Sequence, residues 1–450
     1  MLAAVRSAAV LGIEAYDVTV EVDCALGLPA WTIVGLPAAG VKESRERVGA
    51  ALVNAGFKLP PRRITINLAP ADVRKDGTAF DLPVALGVLA ATGQLPAAAL
   101  DDRLFVGELG LDGSLRPVRG ALPIARRAAE RGECTLVLPP PNVAEAALVG
   151  GLRLAAPASL GELVAQLSEG TLPCARGRAP AARPAADPLD FADVVGQGSA
   201  KRALEVAAAG AHNLVMIGPP GAGKTMLARR VPGILPALTE AEALEATAIH
   251  SVAGVLPPGE ALVGVGPFRA PHHSVSDAGL IGGGNPPRPG EVSLAHRGVL
   301  FLDELLEFRR HVVESLRQPM EDGRVVIARA ACAVAFPARF MLIGAMNPCP
   351  CGNAGEPGRL CACGAADVAR YRARLSGPMS DRIDMHVRVP AVPLRALAVP
   401  SSAAERSASV RERVERARAI QRARYARVAG VACNAHAPGR WMDAHGGIEP

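Results

Sequence analysis

Short apolar runs separated by Gly and Pro turns alternate with helical stretches over the first 170 residues. The runs DVTVEVDC, WTIVGLP, RRITINLAP and TLVLPP have the length and the β-branched content of strands. Between them, KESRERVGAALVNAG and GALPIARRAAERG carry apolar residues at the spacing of amphipathic helices. The pattern therefore predicts a mixed α/β domain over residues 1–170.

The pattern changes after residue 170. Residues 171–190 have little apolar periodicity and are rich in Pro, Ala and Arg, which is typical of a linker. Beyond them, three short strands are predicted at 214–217, 299–302 and 340–345. A helix is predicted over 402–428, and because it carries arginines on every face we expect a solvated lid helix. These features indicate a second α/β domain over 191–395 and a helical region over 396–450.

Composition narrows the class of protein. The chain has 450 residues, of which 50% are apolar and 20% charged, so we expect a globular protein of two or three domains. The longest apolar stretch is too short for a membrane span, because Asp81, Pro83, Gln94 and Pro96 interrupt it. The N-terminal residues lack the pattern of a signal peptide. We expect a cytoplasmic protein without a membrane partner.

The charge of the chain is mildly basic. The net charge is +6, and only five of the 49 basic residues are lysine. Such an excess is compatible with a polyanionic partner and equally with solvated arginine faces. Charge alone therefore does not select a function.

A glycine-rich segment follows the predicted strand at 214–217 and fits the pattern G-x-x-x-x-G-K-[ST]. Its residues are Gly218, Pro219, Pro220, Gly221, Ala222, Gly223, Lys224 and Thr225. Glycines let successive backbone N–H groups converge on a phosphate, and the following helix adds its N-terminal dipole. Lys224 is predicted to reach the β- and γ-phosphate oxygens, and the Thr225 hydroxyl to ligate Mg²⁺. The segment predicts an ATP site.

Two other predicted strands end in polar side chains. Asp303 and Glu304 directly follow the apolar run at 299–302, and Asn347 follows the strand at 340–345. Asp303 is predicted to hold Mg²⁺ through water, and Glu304 to act as general base toward the attacking water. Asn347 either orients that water or starts the turn before Pro348.

A cysteine cluster follows Asn347 and consists of Cys349, Cys351, Cys361 and Cys363. Four thiolates at this spacing can close a tetrahedral zinc site, with C-x-C in place of the usual C-x-x-C. Reduced free thiols and a redox role are the alternatives. The pair His272–His273 has no acidic partner at ligand spacing, so a structural or substrate-loop role is favoured over a metal site.

Together with SGPMSDRID (376–384), these motifs resemble those of AAA+ ATPases. The segments FRAPHHSVSDAGLIGGGNPPRPGEVSLAHRGVLFLDEL (268–305) and ESLRQPMEDGRVVIAR (314–329) resemble, more closely, the magnesium-chelatase-like family of bacterial ComM/YifB proteins. The resemblance implies an ATP-driven, ring-forming motor, expected to be a homohexamer. It further implies action on single-stranded or branched DNA, as a branch-migration helicase in natural transformation, with recombination proteins as candidate partners.

The resemblance also implies roles for single residues. Arg382 matches the position that supplies an arginine finger to the ATP of the neighbouring subunit. Residues 266–292 resemble an insertion in the second helix, and residues 324–336 a hairpin, and both loops face the pore in related motors. Arg324 and Arg329 are therefore candidates for contact with a DNA backbone, and an ordinary surface hairpin is the alternative.

The N-terminal domain resembles the proteolytic domain of Lon in KDGTAF (75–80) and VRGALPI (118–124). Lon-type hydrolysis needs a serine nucleophile and a lysine base, whereas these places fall on Ala79 and on or near Pro123. The resemblance implies a Lon-protease-like, ribosomal S5-type α/β fold without peptidase activity. Such a domain would serve for binding or assembly.

Members of the family continue several tens of residues past the NAHAPGRWMDAHGGIEP ending and complete a helical lid with a second ATP-sensing arginine. We therefore expect a partial lid, so the motifs alone do not establish ATP turnover. Two alternatives to a DNA motor stay open. One is the motor subunit of a metal chelatase, against which the Lon-like front domain argues; the other is a scaffold that binds ATP without turnover.

Overall fold

The computed structural model describes residues 1–132, 135–175, 189–256, 261–329, 332–356, 359–393 and 404–446. The chain forms two compact units. The first comprises residues 1–182 and 247–262, and the second residues 183–246 and 263–450. Residues 247–262 thus belong to the first unit, although the sequence analysis placed them in the domain at 191–395. The predicted linker lies for the most part outside the described residues.

The strands of the first unit form one mixed sheet and two smaller ones. In chain order they are β1 (Leu2–Leu11), β2 (Glu14–Ala25), β3 (Ala30–Val34), β4 (Arg63–Ala69), β5 (Arg103–Phe105), β6 (Glu108–Leu109), β7 (Leu115–Arg116), β8 (Thr135–Val137) and β9 (Arg153–Ala155). The main sheet has the order β1-β2-β4-β3, and β3 runs parallel to β4 while the other pairs are antiparallel. β5-β8-β9 form a parallel sheet, and β6-β7 a hairpin.

The helices of the first unit pack on these sheets. They are α1 (Ala39–Lys42), α2 (Ser44–Asn54), α3 (Asp81–Ala91), α4 (Ala121–Glu130), α5 (Val143–Ala146) and α6 (Leu160–Glu169). Every residue of α3 is buried, and a Cβ atom added at Gly87 would lie 2.5 Å from Cγ2 of Val22 on β2. Its single charged residue, Asp81, accepts a 2.7 Å hydrogen bond from Nε of Arg47. The longest apolar stretch of the sequence thus contains a core helix.

The strands of the second unit include a five-stranded sheet. In chain order they are β10 (Leu214–Ile217), β11 (Phe268–Arg269), β12 (Gly282–Gly283), β13 (Arg288–Pro289), β14 (Val299–Leu302), β15 (Arg324–Arg329), β16 (Cys332–Pro337), β17 (Met341–Met346) and β18 (Met385–Arg388). The sheet is wholly parallel, in the order β11-β14-β17-β10-β18. The predicted strands are the three central ones; the short edge strands β11 and β18 lack a continuous apolar run and were missed.

The helices of the second unit are mostly short. They are α7 (Gly198–Gly210), α8 (Lys224–Ala228), α9 (Glu240–Ala253), α10 (Asp277–Leu280), α11 (Glu291–Leu294), α12 (Arg310–Glu314), α13 (Arg317–Asp322), α14 (Ala365–Arg372), α15 (Gly377–Ser380), α16 (Ser407–Tyr425) and α17 (Gly439–His445). Of α9, the residues from 247 onward belong to the first unit. No helix in the described part of the chain combines the length and the apolar character that crossing a membrane requires.

The prediction of a solvated lid helix is wrong for α16. Val410 and Val414 on this helix are buried in the core of the second unit. Arg411 donates a 3.0 Å hydrogen bond from Nε to the carbonyl oxygen of Gly233. An arginine can lie on a packed face because its aliphatic stem packs against apolar neighbours while its guanidinium binds carbonyl oxygens. The even distribution of arginines around the helix therefore did not indicate which face is buried.

Candidate nucleotide-binding site

The three central strands of the parallel sheet bring the predicted motifs to one edge. β17 lies between β14 and β10 and runs parallel to both. The glycine-rich loop follows β10, Asp303 follows β14, and Asn347 follows β17. Ligands of open parallel sheets bind outside the carboxyl ends of the strands. The candidate site therefore lies at this edge.

The glycines of the loop are required by its geometry. A Cβ atom added at Gly218 would lie 2.0 Å from the carbonyl oxygen of Val389. Gly221 and Gly223 have φ angles of +79° and +90°, in a region that side chains strongly disfavour. The loop contains Pro219, Pro220 and Ala222 between these glycines, and α8 begins directly after it at Lys224. The chain thus turns tightly from the sheet into a helix N-terminus.

Lys224 is buried and holds the loop and Asn347 together. Its Nζ donates hydrogen bonds to the carbonyl oxygens of Gly218 at 2.6 Å and Pro219 at 2.9 Å, and to Oδ1 of Asn347 at 3.1 Å. Burial lowers the pKa of Lys224, and the carboxylates of Asp303 and Glu304 partly oppose this effect. The ammonium group therefore lies between the loop and Asn347, and phosphate oxygens of a bound nucleotide would replace the carbonyl oxygens as its acceptors.

Thr225 and Asp303 are in direct contact. Thr225 Oγ1 donates a 2.7 Å hydrogen bond to Oδ2 of Asp303, and Oδ1 of Asp303 accepts a 3.0 Å hydrogen bond from the backbone N–H of Glu304. Hydroxyl and carboxylate oxygens are the hard ligands that Mg²⁺ prefers, so the pair fits the metal of a nucleotide complex. Glu304 has a φ angle of +52°, and its side chain is largely exposed next to this pair.

Two side-chain contacts of the site are not predicted by the sequence pattern. Gln197 Nε2 donates hydrogen bonds to the carbonyl oxygens of Ala222 at 3.0 Å and Pro390 at 2.7 Å. His273 Nδ1 lies 3.8 Å from Oε2 of Glu304. Both residues are distant in sequence from the residues they contact; Gln197 belongs to no motif, and the motif at 268–305 that contains His273 does not indicate a contact with Glu304.

The histidine pair has local contacts of its own. Nδ1 of His272 lies 2.8 Å from Oγ of Ser274, and the two imidazole rings lie 4.0 Å apart. Among the described residues, neither histidine belongs to a cluster of metal-ligating side chains. A structural or substrate-loop role for the pair stays a prediction.

Arg382 lies at the opposite edge of the sheet from the glycine-rich loop. Its carbonyl oxygen accepts a 3.0 Å hydrogen bond from Nδ2 of Asn213, which precedes β10, whereas the loop follows β10. Its guanidinium pairs with Glu321 and donates a 2.8 Å hydrogen bond to the carbonyl oxygen of Pro378. The structure thus does not bring Arg382 to the nucleotide site of its own chain.

The predicted hairpin is confirmed. β15 and β16 pair antiparallel, from Arg324 opposite Pro337 to Arg329 opposite Cys332. Arg324 and Val326 are exposed, while the side chain of Arg329 lies outside the described residues. The hairpin therefore presents at least one of the two predicted arginines to solvent.

The four cysteines lie together near the site. Their sulfur atoms all lie within 4.8 Å of one another, and Cys349 is buried. A hydrogen bond from the backbone N–H of Asn353, with others around the cluster, lowers the pKa of Cys351 to about 6. A cluster of this kind is a candidate metal centre adjoining the nucleotide site.

A parallel sheet whose central strands deliver a P-loop lysine, a Thr–Asp pair and an asparagine to one edge defines a P-loop nucleotide-binding protein. A family profile described as "Magnesium chelatase, subunit ChlI" matches residues 190–397, and one described as "Subunit ChlI of Mg-chelatase" matches residues 20–142.

Similar proteins extend the match over nearly the whole chain. The competence protein ComM of Haemophilus influenzae is 46% identical over 435 residues, which cover 95% of this chain and 84% of ComM. The uncharacterized protein YifB of Escherichia coli is 44% identical over 424 residues, which cover 93% of this chain and 82% of YifB. The 38 kDa magnesium-chelatase subunit of Rhodobacter capsulatus is 28% identical over 177 residues, which cover 35% of this chain and 50% of that subunit. The chain therefore belongs to the magnesium-chelatase-like AAA+ ATPase family that includes ComM and YifB.

Proposed function

We propose that the chain hydrolyses ATP at this site as a subunit of a ring-shaped motor that acts on DNA. The contact between Thr225 and Asp303 at the shared sheet edge carries the proposal, because it assembles ligands for a nucleotide-bound metal. Thr225 and Asp303 would hold Mg²⁺, which would supply positive charge against the negative charge that develops on the β- and γ-phosphates during hydrolysis. Lys224 binds the same phosphates, and the backbone N–H groups of the loop orient them.

The attacking water has two candidate partners in the chain. Glu304 is exposed beside Asp303 and accepts the proton of the water as general base. Asn347 orients the water, since its Oδ1 already lies 3.1 Å from the Nζ of Lys224. The proposal thus assigns Thr225 and Asp303 to metal binding, Glu304 to proton transfer and Asn347 to positioning of the water.

Arg382 acts in this proposal on the ATP of a neighbouring subunit. Its place at the opposite edge of the sheet from its own P-loop supports a role in trans. The ion pair with Glu321 would hold the guanidinium until a neighbour binds ATP. An arginine finger of this kind requires a ring, and we propose a homohexamer.

DNA is proposed as the substrate on two grounds. A relative that is 46% identical is named a competence protein, which points to uptake or recombination of DNA. The chain itself carries a net charge of +6 and an exposed Arg324 on the β15–β16 hairpin. We propose branch migration of single-stranded or branched DNA during recombination in natural transformation, with recombination proteins as partners.

The first unit is proposed to serve binding or assembly on a Lon-protease-like fold. Ala79, at the place of the nucleophile, offers only a methyl group and lies partly buried in a hydrophobic cluster. Pro123, at or near the place of the base, is buried within α4. Without a hydroxyl and an amine at these places, Lon-type peptide hydrolysis has no nucleophile.

A metal chelatase motor is the second candidate. The 28% identity to the Rhodobacter 38 kDa subunit over 177 residues favours it, together with the chelatase profile that matches residues 190–397. That similarity covers 35% of the chain, compared with 95% for ComM, so the DNA motor is the better-supported reading.

The test is ATP hydrolysis by the purified chain with single-stranded, duplex and four-way-junction DNA, beside a Lys224→Ala control. We expect turnover that DNA stimulates and that disappears in the control. Stimulation by a tetrapyrrole-binding partner and not by DNA would instead favour the chelatase. ATP binding without turnover under any condition would leave a nucleotide-dependent scaffold.

A further inference from the structure

We propose that Cys349, Cys351, Cys361 and Cys363 bind one structural Zn²⁺ ion, and that the resulting zinc knuckle supports the P-loop. The zinc knuckle is defined here as residues 349–356 and 359–363. The Sγ of Cys349 lies 3.4 Å from that of Cys351 and 3.7 Å from that of Cys361, and the Sγ atoms of Cys351 and Cys361 lie 3.6 Å apart. A tetrahedron with zinc–sulfur bonds of about 2.3 Å has edges of about 3.8 Å. The sulfur atoms of Cys349, Cys351 and Cys361 thus stand at separations close to the edges of such a tetrahedron, and Sγ of Cys363 lies within 4.8 Å of each of them.

The same distances argue against other uses of four thiols. A disulfide requires sulfur atoms at about 2.05 Å, well below any of these separations. An iron–sulfur cluster places its own core between the cysteine sulfurs, and separations of 3.4 to 3.7 Å leave no room for it. A single soft ion in tetrahedral geometry fits, and Zn²⁺ is the usual occupant of a four-thiolate site.

Backbone N–H groups surround the sulfur atoms. The N–H of Ala354 donates to Sγ of Cys349 at 3.3 Å, and Asn353 and Ala362 donate to Sγ of Cys351. Such donors offset the negative charge that four thiolates accumulate, and they orient the ligands toward the ion. The arrangement has both the ligand set and the surrounding shell of a structural metal site.

The zinc knuckle lies directly against the P-loop. Gly352 has a φ angle of +80°, and a Cβ atom added there would lie 2.4 Å from Cδ of Pro220. Glu356 Oε1 accepts a 3.1 Å hydrogen bond from the backbone N–H of Ala391. The knuckle begins two positions after Asn347, whose side chain binds Lys224. Closing the four thiols around an ion therefore fixes the segment that joins Asn347 to the loop.

Loss of the ion is expected to weaken nucleotide binding. Without it, the two cysteine pairs are free to separate, and Pro220 loses a fixed packing partner. The zinc site rests on the thiol geometry alone, whereas its effect on nucleotide rests on the proposed function. The two parts therefore need separate measurements on the same proteins.

The first experiment measures zinc content and the affinity for a fluorescent ADP analogue, using the 450-residue chain purified without chelators. We compare wild type with the double variant Cys361→Ser/Cys363→Ser and with Cys174→Ser, an exposed cysteine of the first unit that serves as control. We expect about one zinc per chain in wild type and control, and less than about 0.2 in the double variant. Affinity should fall at least about tenfold in the double variant, and in wild type stripped of zinc, and should return when zinc is added back to the latter.

The second experiment separates the contact with Pro220 from the metal itself. Gly352→Ala keeps all four thiols but forces the knuckle off Pro220. Gly355→Ala is the matched control, because Gly355 has a φ angle of +77° with no atom within 4 Å of an added Cβ. We expect both variants to keep zinc and only Gly352→Ala to lose nucleotide affinity.

The outcomes are distinguishable. The zinc site would be overturned if wild type contained no zinc or contained iron instead. It would also be overturned if the double variant kept its zinc. Stripped protein that binds nucleotide like wild type, or equal affinities of the Gly352 and Gly355 variants, would overturn the link to the P-loop. Wild type that holds zinc but binds no nucleotide would instead contradict the proposed function.

Discussion

Thr225 Oγ1 and Asp303 Oδ2 are joined by a 2.7 Å hydrogen bond, although 78 positions separate the two residues in the chain. They meet because β10 and β14 flank β17, run parallel to it and end at the same edge of the sheet. The ligands for Mg²⁺ are thus assembled by the sheet.

Removing either partner of this pair should weaken the response to Mg²⁺. Thr225→Ala deletes the hydroxyl, and Asp303→Asn removes the charge that holds the ion through water. We expect the apparent Mg²⁺ affinity in ATP hydrolysis to fall by about 10- to 100-fold in each. Thr225→Ser keeps the hydroxyl and serves as the control. Unchanged Mg²⁺ titrations in both deletion variants would show that the pair is merely structural.

Asn347 should affect turnover more than binding. Its Oδ1 accepts a hydrogen bond from Lys224, but phosphate can replace that contact once nucleotide is bound. We therefore expect Asn347→Ala to lower kcat by about tenfold or more and to change the affinity for ATP analogues by less. Asn347→Asp, which keeps the size and adds a charge beside Lys224, is the comparison. A variant that loses affinity and keeps kcat would contradict a role in positioning water.

Arg382 is expected to act on the ATP that a neighbouring subunit binds. Arg382→Ala and Lys224→Ala are each expected to lower ATP turnover by about 10³-fold or more when assayed alone. Mixed rings should regain part of the activity, because a site with an intact Lys224 then faces a neighbour with an intact Arg382. The measurement is ATPase rate against mixing ratio.

The ion pair with Glu321 supplies the control for that experiment. Glu321→Gln releases the guanidinium of Arg382 without removing it, so turnover should persist. If mixing the two inactive variants restores nothing while both assemble into rings, Arg382 does not act in trans.

His436 should make the stability of the chain sensitive to acid. Burial, reinforced by the positive charges of Arg339 and Arg297, lowers the pKa of His436 to about 4, against an ordinary value of about 6.5. The unfolded chain therefore binds more protons, and stability is lost as pH falls from about 6.5 toward 4. Binding of this one proton by the unfolded chain lowers the free energy of unfolding by about 2 to 3 kcal/mol between pH 7 and pH 4.5.

The measurement is urea unfolding of wild type and His436→Gln at pH 7 and pH 4.5. Carboxylates elsewhere contribute equally to both proteins, so the difference isolates the histidine. The loss of stability on acidification should be smaller in the variant. Equal losses would mean that His436 titrates in the fold as it does in the unfolded chain.

The sequence predicted the central part of the site and missed its surroundings. The P-loop, the acidic pair and Asn347 each follow a continuous apolar strand, so their local pattern is strong. Gln197 contacts the same site from a segment without a motif, and His273 from the segment 268–305, whose pattern does not indicate a contact with Glu304. The strands β11 and β18 were missed because they are short and only partly buried. Such features depend on which segments the fold brings together.

What the amino-acid sequence determined by itself was the chemistry of single segments. Glycines at 218, 221 and 223 allow a turn that residues with a side chain disfavour. Four cysteines within fifteen positions confine the candidate metal ligands to one short segment. Only the tertiary structure decided which of these segments are neighbours. It placed Arg382 away from its own P-loop, buried one face of α16, and set Gly352 against Pro220. The physical reason is that local pattern depends on residues a few positions apart, whereas strand order and packing depend on contacts between residues tens to hundreds of positions apart.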